Sequence, residues 1–423
     1  MRRRGALISS TRTLLIISGG RESLPVIEEA RRMGLRVLVS DGAPDAPGFR
    51  LADAGLLAST GDPEATVEAA RAYAARTPVH GVLAVAADVP QTVAAVTHAL
   101  GLPGISFQTA HLAADRLAMM DRLAARGVPV PWHAAVASRS VLETLARRAD
   151  RPLVVKPADA RCARGVVRLV RGVDPGWAYE VAFAESPRGS VMVEEFIPGS
   201  WVRTETVVVH GRTTTLALSD CHYEPCDRFA PFVVEGGSEL PSRLPPAVLD
   251  RITGLVAEAA RTLGVQRGTV QGDLVVGPRG PVLVDMIAHL PGGYLCTHEI
   301  PLSTGINFVA AAIHLALGEE PEAAALRPRW TGGVARRHFF PSPGTVVAVR
   351  GIAEAATGEG VALLEVGVVP GARVSGMMSR IRPAGVVIAV GDTREQAVAR
   401  AEAAVARVRI VTQTAGPADA PFH

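Results

Sequence analysis

One lysine stands among the 44 lysine and arginine residues of this 423-residue chain. Lys156 follows the apolar run Leu153-Val154-Val155, which places it at the end of a predicted buried strand. A compact ammonium group on a flexible stem does not replace, and is not replaced by, a planar guanidinium at a tight site. Two explanations stay open: a binding site that requires the lysine, or a coding bias towards arginine that left one lysine behind.

The segment after Lys156 predicts a phosphate-binding hairpin. It is rich in small residues, contains Arg161 and Arg164, and leads into a second β-type run at residues 166–170. Loop N–H groups, the two arginines and the lysine could hold a polyphosphate beneath such a flap, which we expect to be flexible. A lysine that simply ends a strand in solvent is the alternative.

Two aspartates on a second predicted hairpin could bind divalent cations. Asp273 and Asp285 lie in β-type runs joined by the turn Gly277-Pro278-Arg279-Gly280. Pairing about this turn makes the two aspartates cross-strand neighbours to within one residue of register. Opposed like charges repel, and Mg²⁺ ions that bridge the carboxylates and a polyphosphate would relieve the repulsion. A solvated hairpin face is the alternative.

A flat heterocycle could bind where another strand ends. The β-type run at residues 191–196 bends at Pro198-Gly199, and it includes Glu194-Glu195-Phe196 before Ile197. Backbone N–H and C=O groups left free at such a bend can pair with the edge of an adenine ring. The same motif also occurs in proteins without any ligand there, so by itself it does not indicate a binding site and needs support from the other motifs.

The elements that position these residues fall into three sections. Short apolar runs and amphipathic helices alternate over residues 13–114, which predicts a parallel α/β layer with right-handed crossovers. A helix opens the second section, 115–325, whose small α+β unit at about 128–195 contains Lys156. The third section, 326–415, predicts Gly-rich hairpins and a helix over 393–408 capped by Asp392. Residues 1–12 and 416–423 are expected to be tails.

Composition and missing motifs exclude several functions. The loop Ser18-Gly19-Gly20-Arg21-Glu22 lacks the G-x-G-x-x-G pattern, which argues against a nicotinamide or flavin site. A formal charge of +3 with scattered arginines indicates no nucleic-acid partner. No window approaches the ~18 apolar residues that span a bilayer, so we expect no membrane role. The four cysteines show neither CxxC nor zinc spacing, which favours a cytoplasmic protein without disulfides.

Taken in order, these motifs resemble the ATP-grasp superfamily over nearly the whole chain. The matching parts are the first α/β layer, the helix at residues 115–120, the strand Val155-Lys156-Pro157, the linker at residues 194–197, and the aspartate hairpin that leads to Leu290-Pro291-Gly292-Gly293. The segments at residues 235–242 and 333–336 are similar to those of carboxylate-amine ligases that make dipeptides and related amides. The implied fold is mixed α/β and α+β: a Rossmann-like pre-grasp domain, a lid subdomain and a C-terminal α+β domain.

The resemblance also implies a mechanism, in which ATP phosphorylates a substrate carboxylate to an acyl phosphate and an amine displaces the phosphate. The implied partners are small-molecule carboxylate and amine substrates and a second copy of the chain in a homodimer. The implied site residues are Arg116, Lys156, Arg161, Arg164, Glu194, Glu195, Phe196, Ile197 and Trp201 for ATP, Asp273 and Asp285 for Mg²⁺ or Mn²⁺, Glu235, Gly292 and Gly293 for substrate, and Lys156, His289 and Arg336 for catalysis.

Four positions depart from the family pattern. Arg116 stands in place of a second lysine, Trp201 in place of a ribose-binding glutamate, and Asp285 in place of a glutamate. His289 stands where family members carry an arginine, and a histidine is only partly charged near neutral pH. Two alternatives to a carboxylate-amine ligase therefore stay open: a nucleotide-binding regulator or scaffold without ligase activity, and a ligase that uses bicarbonate or formate as the carboxyl donor.

Overall fold

A computed structural model describes residues 11–161, 163–223, 229–374 and 383–413 of the chain. Within these ranges the strands form four sheets, and no helix is long and apolar enough to cross a membrane.

The N-terminal section is the parallel α/β layer that its alternating pattern predicted. Its sheet has the strand order β3-β2-β1-β4, and all three pairings are parallel. Alternate residues of β1 pack into two separate hydrophobic clusters, so both faces of the sheet are covered. The elements are β1 (Thr13–Ile17), α1 (Leu24–Arg32), β2 (Arg36–Asp41), β3 (Ala54–Leu57), α2 (Pro63–Ala74), β4 (Gly81–Ala84), α3 (Pro90–Leu100) and α4 (Phe107–Ala114).

A second sheet contains Lys156 on an inner strand. Its order is β5-β8-β6-β7, and all three pairings are antiparallel. The hairpin predicted on either side of the lysine loop is confirmed, although its second strand is only two residues long. The elements are α5 (Arg116–Ala124), β5 (His133–Val136), α6 (Arg139–Arg148), β6 (Leu153–Pro157), β7 (Val167–Arg168), α7 (Pro175–Ala184) and β8 (Val191–Glu195).

The largest sheet has eight strands in the order β13-β12-β9-β10-β11-β14-β18-β16, and a small sheet has the order β17-β15-β19. The elements are β9 (Ser200–Val209), β10 (Arg212–His222), β11 (Gly237–Leu240), α8 (Pro246–Thr262), β12 (Arg267–Gly277), β13 (Gly280–Ile287), α9 (Ile300–Thr304), α10 (Phe308–Ala316), β14 (Gly333–Phe339), β15 (Gly344–Arg350), α11 (Ile352–Ala356), β16 (Val361–Val366), β17 (Arg373–Val374), β18 (Gly385–Gly391), α12 (Arg394–Arg407) and β19 (Arg409–Gln413).

The large sheet crosses the expected boundary between residues 325 and 326. Strand β11 pairs with β14 in antiparallel register, with Ser238 opposite Arg336. The C-terminal strands therefore extend the sheet that carries the aspartate hairpin, and Arg336 reaches the same region as Glu235 through this pairing.

The cap predicted for the last helix was wrong by one residue. Helix α12 begins at Arg394, and the side chain of Thr393, not that of Asp392, accepts a hydrogen bond from the N–H of Gln396 at 3.2 Å. Threonine and aspartate are both preferred at this position, and the local sequence contains both in succession.

Candidate active site

A cavity of about 670 Å³ lies between the N-terminal layer, the lysine-bearing sheet and the large sheet. All sixteen candidate site residues from the sequence line this one cavity: Arg116, Lys156, Arg161, Arg164, Glu194, Glu195, Phe196, Ile197, Trp201, Glu235, Asp273, Asp285, His289, Gly292, Gly293 and Arg336. The structure therefore brings together every residue that the motifs singled out.

Lys156 forms a buried ion pair inside this cavity. On β6 and β8 Val154 lies opposite Glu194, so Lys156 and Glu194 are diagonal neighbours on one face of the sheet. The Lys156 Nζ atom is 2.6 Å from Oε2 of Glu194, and both side chains are almost fully buried. Burial lowers the pKa of Lys156, and the carboxylate of Glu194 opposes this shift. The lone lysine is therefore not a solvated strand end.

The two aspartates of the hairpin are direct cross-strand partners. A register shift between Asp273 and Leu274 brings Asp273 opposite Asp285, which confirms the predicted pairing and explains its one-residue uncertainty. Arg203 lies opposite Asp273 on the other neighbouring strand, and its Nε atom donates to Oδ1 of Asp273 at 2.7 Å. Three charged side chains thus form a row across β9, β12 and β13.

Two arginines form ion pairs with Asp285. Their positive charges reduce the repulsion between Asp273 and Asp285, which was expected to require metal ions. Arg116 donates to Oδ2 of Asp285 at 2.7 Å, and Arg161 donates to Oδ1. Burial by itself would raise the pKa of Asp285, but Arg116, Arg161 and Lys156 outweigh it and hold the pKa well below its ordinary value. Asp285 is therefore ionised at neutral pH without any bound cation.

The first part of the loop after Lys156 is buried at Ala158, Ala160 and Arg161, whereas Ala163 and Arg164 are exposed. Arg116 donates to the carbonyl oxygens of Pro157 and Ala160, at 2.9 and 3.1 Å. Arg161 donates to Asp88 at 2.9 Å and to the carbonyl oxygen of Ala113. Small residues let the loop pack closely, and the arginines then satisfy its backbone carbonyls. Arg164 donates to the carbonyl oxygen of Arg161 at 3.2 Å.

The linker after β8 is less free than the sequence suggested. The N–H groups of Glu195 and Phe196 donate to the carbonyl oxygens of Trp132 and Pro152, both at 2.8 Å. Among these linker residues, Ile197 is the one whose N–H makes no hydrogen bond within the described part of the chain. Ile197 also packs in an apolar cluster with Val275, Val282, Val284 and Trp201, which suits one face of a flat heterocycle.

A second charged cluster surrounds Arg336, which is buried. Arg336 donates to Glu235, to the carbonyl oxygen of Gly293 at 2.7 Å and to Oγ of Ser238 at 2.9 Å, and it lies 3.0 Å from Oε1 of Glu299. Burial would raise the pKa of Glu235, but Arg203 and Arg336 outweigh it and lower the pKa to about 2. Glu235 is therefore ionised at the cavity wall.

Several residues of this site were missed from the sequence. Arg203 and Glu205 lie on the same face of β9 as Trp201, which the sequence did select, and Gln271 lies on the same face of β12 as Asp273. The period-2 spacing of charged residues along one face of a strand is the signal that could have found Arg203 and Glu205. Asp88, Glu22 and Glu299 carry no comparable local signal. They reach the site through tertiary contacts, such as the bond from the N–H of Gly293 to Glu22 at 2.6 Å.

The carboxylates of Asp273 and Asp285 fit Mg²⁺ in their chemistry, because hard cations prefer carboxylate and phosphate oxygens. These two carboxylates would supply only part of the coordination shell of Mg²⁺. Within the described residues no group of three or more His, Cys, Asp or Glu side chains could hold a metal ion. Phosphate oxygens and water would have to supply the remaining ligands, as is usual for Mg²⁺.

Comparisons with known proteins match two parts of the chain to known families. Residues 27–104 match the ATP-grasp N-terminal domain family, and residues 337–413 match the family described as L-amino acid ligase C-terminal domain 2. A formate-dependent phosphoribosylglycinamide formyltransferase of Burkholderia thailandensis is 30% identical over 206 residues, which cover 47% of this chain and 50% of that protein.

Two solved structures share the whole architecture. The L-amino acid ligase from Bacillus licheniformis superposes with a TM-score of 0.80 at 23% identity, over 96% of this chain and 99% of that one. A carboxyaminoimidazole ribonucleotide synthase from Aspergillus clavatus, solved in complex with ATP, superposes with a TM-score of 0.74 at 16% identity, over 94% and 99%.

The chain thus has the ATP-grasp fold, as the resemblance of its motifs implied, and residues 27–104 are similar to the ATP-grasp N-terminal domain family. Residues 337–413 are similar to the second C-terminal domain of the L-amino acid ligases. The chain spans about half the length of the curated transferase that it matches.

Proposed function

We propose that this chain is an ATP-dependent ligase that joins a carboxylate to an amine through an acyl phosphate and releases ADP and phosphate. The observation that carries the proposal is the single cavity in which Lys156 and the paired aspartates adjoin the cluster of Glu235 and Arg336. One end offers groups for a nucleotide, and the other offers charged groups for small substrates.

The nucleotide end has groups suited to each part of ATP. The N–H of Ile197 and the apolar cluster with Trp201 suit adenine. Lys156, Arg116, Arg161 and Arg164 are the proposed phosphate ligands, by charge and by hydrogen bonds. Asp273 and Asp285 would hold Mg²⁺, or Mn²⁺, which when bound would neutralise charge on the phosphates. Catalysis in this scheme is mostly positioning and charge neutralisation.

The substrate end favours a zwitterionic amino acid. The carboxylate of Glu235, ionised because Arg203 and Arg336 lower its pKa to about 2, can accept hydrogen bonds from a substrate ammonium group. Gly292 and Gly293 follow the end of β13, and the missing side chain of Gly292 lets the carboxylate of Glu22 lie close, since a Cβ atom there would lie 2.2 Å from its Oε2. Arg336 holds Glu235 and the carbonyl of Gly293 in place.

Formate is a second candidate carboxyl donor, and the likeness to a formate-dependent transferase favours it. The match of residues 337–413 to L-amino acid ligases and the TM-score of 0.80 favour an amino acid instead. We further propose a cytoplasmic homodimer, with residues 13–114, 115–325 and 326–415 as pre-grasp, ATP-grasp and C-terminal domains. Sedimentation velocity would test the dimer.

One experiment tests the function. The protein is incubated with ATP and Mg²⁺ and, separately, with pooled amino acids, formate plus amines, or bicarbonate plus amines. Phosphate release and new product masses are measured. Phosphate release that requires an amino-acid pool, with a dipeptide mass, supports the ligase. Nucleotide binding without phosphate release in any pool would show a nucleotide-binding protein without ligase activity.

A further inference from the structure

Asp88 and His289 face each other across a gap at the wall of the cavity. The Nδ1 atom of His289 and the Oδ1 atom of Asp88 are 4.0 Å apart. Both atoms are buried, and neither has a hydrogen-bond partner within the described part of the chain. A buried polar atom without a partner is unfavourable, and here two complementary atoms are left unpaired side by side. Such a pair is expected where a ligand or a small closure completes it.

The fold holds these two residues from separate elements. Asp88 lies in the segment between β4 and α3, and His289 follows β13. A parallel bridge between Val85 and Leu290, with a hydrogen bond from the N–H of Ala86 to the carbonyl oxygen of Leu290 at 3.1 Å, ties the two segments together. Arg161 donates to the other oxygen of Asp88, Oδ2, at 2.9 Å. Asp88 is therefore fixed with Oδ1 left for the imidazole.

We propose that His289 is the general base that takes a proton from the substrate ammonium group, and that Asp88 is the positioning residue that orients its ring. This inference rests on the proposed ligase function. A carboxylate beside Nδ1 favours the tautomer with hydrogen on Nδ1, which leaves Nε2 as the proton acceptor. Such hydrogen bonds are often long before substrates bind and shorten in the complex.

The chemical step balances with this base. The ammonium group loses one proton to Nε2 of His289 and becomes a neutral amine. The amine nitrogen forms a bond to the carbonyl carbon of the acyl phosphate, and the bond from that carbon to the phosphate oxygen breaks. The phosphate leaves with the second proton of the nitrogen, so that the amide nitrogen is neutral. His289 then returns its proton to solvent.

The surroundings of His289 suit a base rather than a fixed positive charge. Burial lowers the pKa of His289, Asp88 opposes this shift, and Arg161 adds to it. The imidazole is therefore neutral at pH 7 and able to accept a proton. A neutral histidine at this position cannot replace the arginine that family members carry, but it can accept a proton.

Hydroxylamine distinguishes deprotonation of the amine by His289 from formation of the acyl phosphate. It is unprotonated at neutral pH, so it needs no base before it attacks an acyl phosphate. Wild type, H289Q, D88N and the control H210Q are incubated with ATP, Mg²⁺ and pooled amino acids, with and without hydroxylamine. Hydroxamate and dipeptide are measured by mass spectrometry. His210 is an exposed histidine that also lies near a carboxylate, that of Glu320.

We expect H289Q to lower dipeptide formation by ~100-fold or more, with hydroxamate formation within a few-fold of wild type. D88N is expected to lower the ratio of dipeptide to hydroxamate in the same direction but by less, and H210Q to leave it unchanged. Equal loss of both products in H289Q, or an unchanged ratio, would overturn the inference. Absence of hydroxamate from wild type would instead refute the proposed activation of an amino-acid carboxylate.

Discussion

The ion pair of Lys156 and Glu194 is buried, so removing one partner should lower the free energy of unfolding by a large amount. The Lys156→Met substitution keeps most of the aliphatic stem but leaves the carboxylate of Glu194, 4% exposed, without the ammonium group 2.6 Å away. Removal of one partner from a buried pair costs about 3 to 5 kcal/mol. For a domain of roughly 200 residues this corresponds to a fall in Tm of about 6 to 20 °C.

Thermal denaturation of four proteins measures this cost: wild type, K156M, E194Q and the double variant K156M/E194Q. The double variant should regain much of the lost Tm, because no buried charge is left unpaired. The matched control is R261M, which removes an arginine from the exposed pair with Glu258 and should cost no more than about 1 kcal/mol. A K156M shift as small as that of R261M, or a double variant no better than K156M, would refute the reasoning.

Three further outcomes are expected. Lys156→Arg should lower ATP-dependent phosphate release by ~100-fold although the charge is kept, because a longer planar cation displaces the phosphates; unchanged release would favour coding bias as the origin of the lone lysine. Asp285→Asn should raise the Mg²⁺ concentration needed for half-maximal ATP binding by ~10-fold or more, measured by titration calorimetry; an unchanged Mg²⁺ requirement would remove Asp285 from the metal site. Burial raises the pKa of Glu205 to about 8 from an ordinary value of 4.5, so the folded state holds a proton that the unfolded state loses, and stability falls as the pH rises between these values. Glu205→Gln should therefore raise Tm relative to wild type near pH 8.5 and have little effect near pH 5; equal effects at both values would show that Glu205 titrates normally.

Much of the fold follows from local pattern. The parallel layer over residues 13–114 and the hairpin of Asp273 and Asp285 depend on short-range alternation and on a recognisable turn, and the structure confirms both. The turn sets the register that places Leu274 opposite Leu283. In that register Asp273 would lie one residue away from Asp285. A bulge between Leu283 and Asp285 adds one residue to β13 and places the two aspartates directly opposite each other, and the turn sequence does not predict this bulge.

Long-range contacts could not be predicted in this way. Arg161 binds Asp285 and Asp88, which are 124 and 73 residues away in sequence. The same arginine was expected to face phosphate, because nothing in its neighbourhood shows that two carboxylates will pack against it. The pairing of β11 with β14 likewise joins strands about a hundred residues apart, and it decides where Arg336 lies.

The two paired aspartates in the cavity are neutralised by arginines, and not only by metal ions as the sequence suggested. The sequence suggested that two opposed carboxylates need metal ions between them. In the structure Arg203 neutralises Asp273, Arg116 and Arg161 neutralise Asp285, and Lys156 is neutralised by Glu194. These fixed charges compensate one another before any ligand enters. A polyphosphate that bound the arginines would leave the aspartates uncompensated, so the site proposed here would bind Mg²⁺ and ATP together rather than independently.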